Sequence, residues 1–346
     1  MVNVTITPAS GTLHMDDSSG VDTTPGANKL WASGTSLYWS TSAVDVGGGG
    51  GTFGGSLSDT YIPIGTAADT IGNFTPAYVE GQNIVIGVTP SSIEAGADAN
   101  TAYGHEALKS VTTGDYNIAI GQDAMSASTT ASNNIAIGNS ALNAVLDTNS
   151  YRNIAIGQNA LGAFGGSGIV SRESIAIGSG ASSSIVTGAR NIAIGAQAMQ
   201  NDWDNAYDNV LIGYKAGYEG GDGAGNVVVG SYAVGMDTAT PANWARNIVL
   251  GFEAGYSGSE HGMTDNVYIG YRAGKGGTNS YYNVVIGDEA GIAIAGGQSN
   301  VFIGHKAGYD LAVNKCIVIG DQAASGASSA SKSIAIGHQA ANAGLG

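Results

Sequence analysis

Apolar residues recur along most of this chain in a short phrase that returns about every 17 residues. Its clearest copy is Asn117-Ile118-Ala119-Ile120-Gly121, and alanine occupies the third position after the glycine. Fourteen copies lie between residues 100 and 340, with their glycines 16 to 21 residues apart. The flanking apolar residues are β-branched in nearly every copy, which is typical of strands, and glycine permits the turn that follows. The repeat therefore predicts an all-β solenoid of two-strand coils, in which the opening asparagines stack on one another.

The residue between the two β-branched positions is apolar in every copy of the phrase. Because neighbouring strand residues point to opposite faces, we predict that the β-branched pair faces the coil interior and the middle residue faces outward. A strand that is apolar on both faces is usually covered on both, and a two-strand coil is too thin to cover itself. A solvent-exposed row would suit the alanines but not the larger residues that follow them. The row predicted to contact another chain is Ala119, Ala136, Ala155, Ala176, Ala193, Leu211, Val228, Val249, Tyr268, Val285, Phe302, Val318 and Ala335.

The consensus [NS]-[IV]-x-[IV]-G-x-x-A resembles the head repeats of trimeric autotransporter adhesins and the repeats of bacteriophage tail fibres. Two variants carry the resemblance: residues 153–161 read NIAIGQNAL and residues 300–309 read NVFIGHKAGY. The similarity covers residues 100–341. It implies a parallel β-roll with three chains around a common axis, so that the predicted outward row would be a trimer interface. In both families the roll serves as a spacer and a display surface.

The N-terminal part of the chain follows other patterns. Residues 29–39 read as a hairpin with aromatic residues on both arms, and this hairpin resembles one that often opens tail fibres. Its rings Trp31, Tyr38 and Trp39 offer large apolar surface to a protein partner and are the candidate attachment residues. The predicted division is a small β attachment region at 1–46, a glycine-rich linker at 47–56, capping or transition coils at 57–98 and the repeat shaft at 99–346.

Charge and composition narrow the function classes. The net charge of −15 disfavours nucleic acid and anionic membrane surfaces as partners. No apolar stretch is long enough to insert into a membrane as a helix, and the first residues lack the basic start of a secretory signal, which favours a phage protein over an exported adhesin. Cys316 is the single cysteine, so an intrachain disulfide is excluded, and its place in the phrase predicts a small residue of the roll.

No group of residues predicts catalysis, a metal or a cofactor. The glycine-rich segment 220–225 lacks the aspartate of a calcium-binding repeat, and His105, His305 and His338 are expected to face solvent. The segment 202–204, Asp-Trp-Asp, reads as an acidic surface loop. Hexapeptide acyltransferases also form parallel β-helices, but they need three apolar steps per coil and this chain has one. The chain is therefore not expected to be an enzyme.

These patterns predict a structural virion protein, the trimeric shaft of a phage tail fibre or fibre-like appendage. Its expected partners are itself, tail or baseplate proteins through the N-terminus, and a glycan or protein of the host cell surface. The alternative is a fragment of a trimeric adhesin on the bacterial cell surface. Aromatic rings beside polar groups suit sugar recognition, and the predicted receptor contacts are Trp203, Tyr207, Tyr218, Trp244, Tyr256, Tyr281 and Tyr282.

Overall fold

The computed structural model divides into two units, residues 1–73 and 74–346, of which the second contains the repeats. In the first unit it describes two antiparallel pairs, β1 (Asn3–Thr7) with β2 (Thr12–Asp16) and β3 (Leu30–Ser33) with β4 (Ser36–Trp39). The residues described are 3–7, 12–16, 30–33, 36–39, 83–86, 96–143, 145–146, 150–162, 167–184, 187–201, 203, 205–219, 223–235, 244–256, 262–277, 279–294, 297–311, 313–326 and 331–342.

The repeats form a parallel β-solenoid built from two sheets. The long sheet has fifteen three-residue strands, one for each of the fourteen copies of the phrase and one before them, in the segment predicted as capping coils. They are β5 (Ile84–Ile86), β6 (Thr101–Tyr103), β7 (Ile118–Ile120), β8 (Ile135–Ile137), β10 (Ile154–Ile156), β12 (Ile175–Ile177), β14 (Ile192–Ile194), β16 (Val210–Ile212), β18 (Val227–Val229), β20 (Ile248–Leu250), β22 (Val267–Ile269), β24 (Val284–Ile286), β25 (Val301–Ile303), β26 (Ile317–Ile319) and β27 (Ile334–Ile336). Each pairs in register with the next copy, as Ile118 does with Ile135, so the repeat and the parallel β-solenoid are confirmed.

The short sheet supplies the second strand of the coils in the middle of the solenoid. Its eight strands also run parallel, and each lies shortly before a strand of the long sheet in the sequence. They are β9 (Val145–Leu146), β11 (Ser167–Arg172), β13 (Thr187–Ala189), β15 (Ala206–Tyr207), β17 (Gly223–Ala224), β19 (Trp244–Ala245), β21 (Met263–Thr264) and β23 (Ser280–Tyr281). The first residues of the last three strands, Trp244, Met263 and Ser280, are buried in the coil interior. The residue after each of them is partly exposed.

The structure reverses the predicted orientation of the long-sheet strands. The middle residues are at most 4% exposed in the single chain, whereas Ile118 and Ile120 on either side of Ala119 are 38% and 37% exposed. A three-residue strand puts one side chain on one face and two on the other, and the narrow coil interior accepts the single one. The prediction that these residues face another chain is therefore wrong for all of Ala119, Ala136, Ala155, Ala176, Ala193, Leu211, Val228, Val249, Tyr268, Val285, Phe302, Val318 and Ala335.

Inside each coil the middle residue is matched to the fourth residue after the glycine. Where the middle residue is alanine, as Ala119 and Ala136 are, the fourth residue is Met125 or Leu142, both fully buried. Where it is Phe302, the fourth residue is Gly308, and a Cβ there would lie 2.6 Å from the Phe302 ring. The two positions share one volume, as a close-packed interior requires.

Buried asparagines form a second continuous row along the solenoid. The Asn117 backbone N–H and Nδ2 both donate to Asn100 Oδ1, at 2.9 and 3.0 Å, and Nδ2 also donates to the Ala131 carbonyl at 2.8 Å. Asn134 repeats the same bonds on Asn117. At the exceptions, Ser174 Oγ accepts from the Asn191 N–H, and the buried Cys316 donates its N–H to Asn300. The predicted stacking of the amides is confirmed, as is the position of the cysteine inside the roll.

Tyr268 is the largest middle residue with a polar atom, and it makes the stability of the solenoid depend on pH. Its oxygen is buried and has no hydrogen bond of ordinary geometry among the described residues. Ser280 and Asn283 lie near it and lower its pKa, but by less than burial raises it. Burial raises the pKa of Tyr268 from 10.0 to about 12. The unfolded phenol therefore loses its proton at a lower pH than the folded one does.

We expect the free energy of unfolding contributed by Tyr268 to be intact below pH 10 and to fall as the pH rises toward about 12. The loss should reach about 2–3 kcal/mol, since each pKa unit corresponds to about 1.4 kcal/mol. Urea unfolding of the wild type and of Tyr268→Phe at several alkaline pH values measures it. Equal losses in both proteins would show that this phenol has no part in the effect.

Candidate functional site

The outer face of the long sheet is a continuous apolar surface, which we call the β-branched face. It carries the first and third residues of each strand, in two parallel columns of mainly isoleucine and valine. Exposed fractions in the single chain include 38% for Val227, 43% for Ile248 and 68% for Ile334. Fifteen strands stacked in register extend this surface along the whole described solenoid. A contiguous apolar surface of this kind marks an interaction site.

The predicted receptor residues do not come together in one place. Trp203 and Trp244 are buried in the coil interior, where their rings meet edge to face at 6.1 Å and Trp203 Nε1 donates to the Gly217 carbonyl. Their assignment as receptor contacts is wrong, because rings without exposed surface cannot meet a ligand. Both tryptophans belong to the segment that returns toward the long sheet, and this segment closes the coil.

The five tyrosines of that set divide between two surfaces. Tyr207, Tyr281 and Tyr282 lie at or beside the outward positions of the short sheet, and Tyr282 is 62% exposed. Tyr218 and Tyr256 are half-buried on the turns that follow the motif glycines, with the Lys215 and Lys275 ammonium groups 4.5 and 5.3 Å from the ring centres. Of the polar residues beside them, Asp202, Asp204 and Asn243 lie outside the described residues.

An aromatic strip that sequence reasoning missed lies on the same turns, in residues one or two places after the glycines. It consists of Tyr214, Tyr232, Phe252 and Tyr271, one from each of four consecutive coils. The Tyr214 and Tyr232 rings meet at 5.2 Å, Tyr232 and Phe252 at 6.3 Å, and Phe252 and Tyr271 stack at 5.8 Å. The positions of Tyr214, Phe252 and Tyr271 could have identified them, because the residue directly after each motif glycine is never buried in the described coils.

Charged groups hold this strip in place. Arg272 lies 4.7 Å from the Tyr271 ring centre and, with Lys275, pairs with Glu253, at 2.8 and 2.5 Å. The Lys275 ammonium, and then Arg272, keep the pKa of the Glu253 carboxyl below its usual range. Cation contacts to ring faces and ion pairs between coils stiffen the strip, so part of its aromatic surface is occupied from within the chain.

The three histidines that follow motif glycines, His105, His305 and His338, lie on the surface, as predicted. His305 and His338 both direct Nδ1 to the Asp321 carboxylate, at 2.8 and 3.1 Å, and His305 is the main cause of a lowered Asp321 pKa. His105, Glu106 and Asp123 come close enough for one ligand atom of each to lie within 4.8 Å of the others. Three such groups could contact a cation, but Glu106 is already paired with Lys109 at 2.8 Å and the set is open to solvent.

The three candidate attachment residues lie on the predicted hairpin. Trp31 is opposite Tyr38, and Leu30 is opposite Trp39, in the antiparallel pair of β3 and β4. The aromatic residues therefore sit at adjacent register positions on the two arms. The turn between the arms, the glycine-rich linker and most of the predicted capping coils lie outside the described residues.

The described residues include no helix that is both long enough and apolar enough to cross a bilayer. Comparison of the chain with protein-family models, with curated proteins and with solved structures finds no match. The parallel β-solenoid and its surfaces are therefore the observations from which function is inferred.

Proposed function

We propose that this chain is a structural fibre protein, the shaft of a homotrimeric phage tail fibre or fibre-like appendage. The observation that carries the proposal is the β-branched face. Its isoleucines and valines are half-buried or exposed in a single chain, and they run along every coil of the long sheet. Identical rows on three parallel chains can cover one another around a common axis, and each chain would keep its turns facing water.

The reversal of the strand orientation strengthens the case for association. The predicted interface row contained alanines along nearly half of its length, while the β-branched face presents two larger residues in each coil. Burial of apolar surface contributes about 25 cal/mol per Å², so a face with two columns of isoleucine and valine gains more from association than one column of small residues. The number of copies is taken from the resemblance to trimeric rolls and is part of the proposal.

The assembly predicts a specific effect of charge on this face. In a lone chain Ile120→Glu places a carboxylate at a position that is 37% exposed, which should cost little. In a trimer it places three carboxylates between chains, out of water, at a cost of several kcal/mol (roughly 3–5). We therefore expect the variant to dissociate, and light scattering after gel filtration should show a fall from three chain masses to one.

The matched control is Gln122→Glu, which adds the same charge two residues away at an exposed turn position. It should assemble and melt as the wild type does. A wild-type protein that is a stable monomer, or an Ile120→Glu variant indistinguishable from the control, would refute the covered face and the fibre with it.

Attachment to the virion is proposed for residues 1–46, through the hairpin that carries Trp31, Tyr38 and Trp39, with a tail or baseplate protein as the partner. The shaft would then display its turns to a glycan or protein of the host surface, and no catalytic role is proposed. Immunogold electron microscopy with antibodies to the shaft distinguishes the alternatives. Labelled tails or tail appendages on phage particles support the virion assignment, and labelled bacterial surfaces without phage support the adhesin alternative.

A further inference from the structure

A notch interrupts the turns of the solenoid between two consecutive coils. The second position after each glycine carries a side chain in most coils, such as Asn159 and Gln197, but Gly180 occupies it between these two. All three have a left-handed backbone, with φ of 54°, 67° and 57°. The missing side chain leaves a cavity of about 290 Å³, lined by Asn159, Ser179, Gly180, Ser183, Ala196, Gln197 and Gln200.

The lining of the notch is polar but uncharged. Three carboxamides and two hydroxyls surround it, and they supply both donors and acceptors without a formal charge, in a chain whose net charge is −15. Such a lining disfavours ions and favours a neutral ligand with several hydroxyl groups. Anionic ligands are disfavoured further by the charge of the surrounding chain.

Gln200 is incompletely satisfied within the protein. Its Oε1 atom is buried and has no donor among the described residues, although the side chain as a whole is only half-buried. Its Nε2 lies 3.4 Å from the point where a Cβ of Gly180 would stand, on the side of the notch. A ligand hydroxyl in the notch can pair with the amide atom that faces it, since a carboxamide offers a donor on one side and an acceptor on the other.

An aromatic residue, Tyr214, lies on the coil that follows the notch. Lys215 donates its N–H to the Ala196 carbonyl at 3.0 Å, so the turn of Tyr214 and Lys215 lies directly on that of Ala196 and Gln197. The Tyr214 ring is 43% exposed and is the first member of the aromatic strip. A hydrogen-bonding notch beside an exposed ring fits a sugar, whose hydroxyls need polar partners and whose C–H face packs on aromatic surface.

We propose that the notch at Gly180, together with Tyr214, binds a hexose unit of a neutral glycan chain. The notch takes one sugar ring, and the next ring along the fibre axis packs on Tyr214. The inference rests on the proposed function only in requiring that the turns stay outward in the assembly. It names a neutral polysaccharide as the class of surface ligand that the fibre meets.

The test uses the intact chain on a printed array of neutral oligosaccharides made of glucose, galactose, mannose, N-acetylglucosamine and rhamnose in α and β linkages. Gly180→Asn fills the notch with the residue that the same position carries at Asn159, in a conformation that asparagine tolerates. Tyr214→Ser removes the ring. Gly326→Asn is the matched control, because Gly326 has a similar φ of 72° and no atom within 4 Å of its would-be Cβ.

We expect the wild type and Gly326→Asn to bind a member of the array and the other two variants to bind it at least about tenfold more weakly, with unchanged mass and melting temperature. Absence of binding by the wild type, or equal binding by all four proteins, overturns the proposal. Loss of assembly in Tyr214→Ser would mark the strip as a subunit contact and also overturns it. Because mass is measured on the same samples, a monomer that binds sugar through the notch would refute the fibre and leave this site standing.

Discussion

Replacing Gly213 by alanine is expected to cost more than about 4 kcal/mol and to break the solenoid in its middle. Gly213 has φ of 138°, a region that is nearly restricted to glycine, and a Cβ there would lie 2.5 Å from the Gly230 carbonyl oxygen of the next coil. The contact is with backbone on both sides, so no side chain can move aside. Circular dichroism melting and limited proteolysis measure the loss and show where the chain opens.

Gly326→Ala is the control for that prediction. Its φ is 72°, but open space surrounds the would-be Cβ, so only the left-handed conformation is penalised, by about 1–2 kcal/mol. If Gly213→Ala and Gly326→Ala have the same melting temperature, the close stacking of the motif glycines is not what holds adjacent coils in place.

The second large effect is expected in the matched core pair of Phe302 and Gly308. Phe302→Ala should cost about 3–5 kcal/mol through the cavity it leaves. Gly308→Leu should also be strongly destabilising, because even its Cβ would lie 2.6 Å from the Phe302 ring. The double variant recreates the pair seen at Ala136 and Leu142, where leucine is accommodated with φ of 50°. It should recover at least half of the loss caused by Phe302→Ala.

A double-mutant cycle in urea gives the coupling between the two sites. Additive losses, or a double variant less stable than Phe302→Ala alone, would mean that the two positions do not share one volume. The backbone cost of placing leucine in a left-handed conformation is included in the Gly308→Leu arm, so it does not obscure the coupling.

The repeat in the sequence was sufficient to predict the coil, its strands and its turns. The period of the phrase gave the spacing of the strands, the motif glycine marked the turn after each strand, and the first asparagine predicted a stacked amide row that Asn100 and Asn117 show directly. These features are local and recur in each coil, so one chain contains many copies of the same relation between sequence and structure.

The orientation of the strands was predicted wrongly because alternation alone does not say which face is inside. Ile118 and Ile120 are the more hydrophobic pair and were assigned to the interior, but the width of the coil decides the matter. The sequence does indicate the correct face at Phe302 and Gly308, where a large strand residue is followed six positions later by glycine. Such an inverse relation between the sizes of two residues is expected only when their side chains share one interior volume.

Aromatic residues were the other source of error. Trp203 was assigned to the surface because its neighbours Asp202 and Asp204 are acidic, yet it is fully buried. Tyr214 lies within the regular phrase and not in an extended loop, so the lengths of the coils do not point to it. Position within the coil predicts exposure better than the polarity of adjacent residues does, since each position has the same surroundings from coil to coil.

The six-residue span between the paired core positions also bears on how such a chain can lengthen or shorten during evolution. A duplication or deletion whose boundary falls outside that span moves a complete pair and yields a coil that is already packed. A recombination boundary inside it would combine core positions from two different coils. Alanine paired with glycine would leave a void in the new coil, and phenylalanine paired with leucine would overfill it. Heritable changes of rod length are therefore expected to have their junctions in the segment that returns toward the long sheet, where the coils of this chain already differ in length.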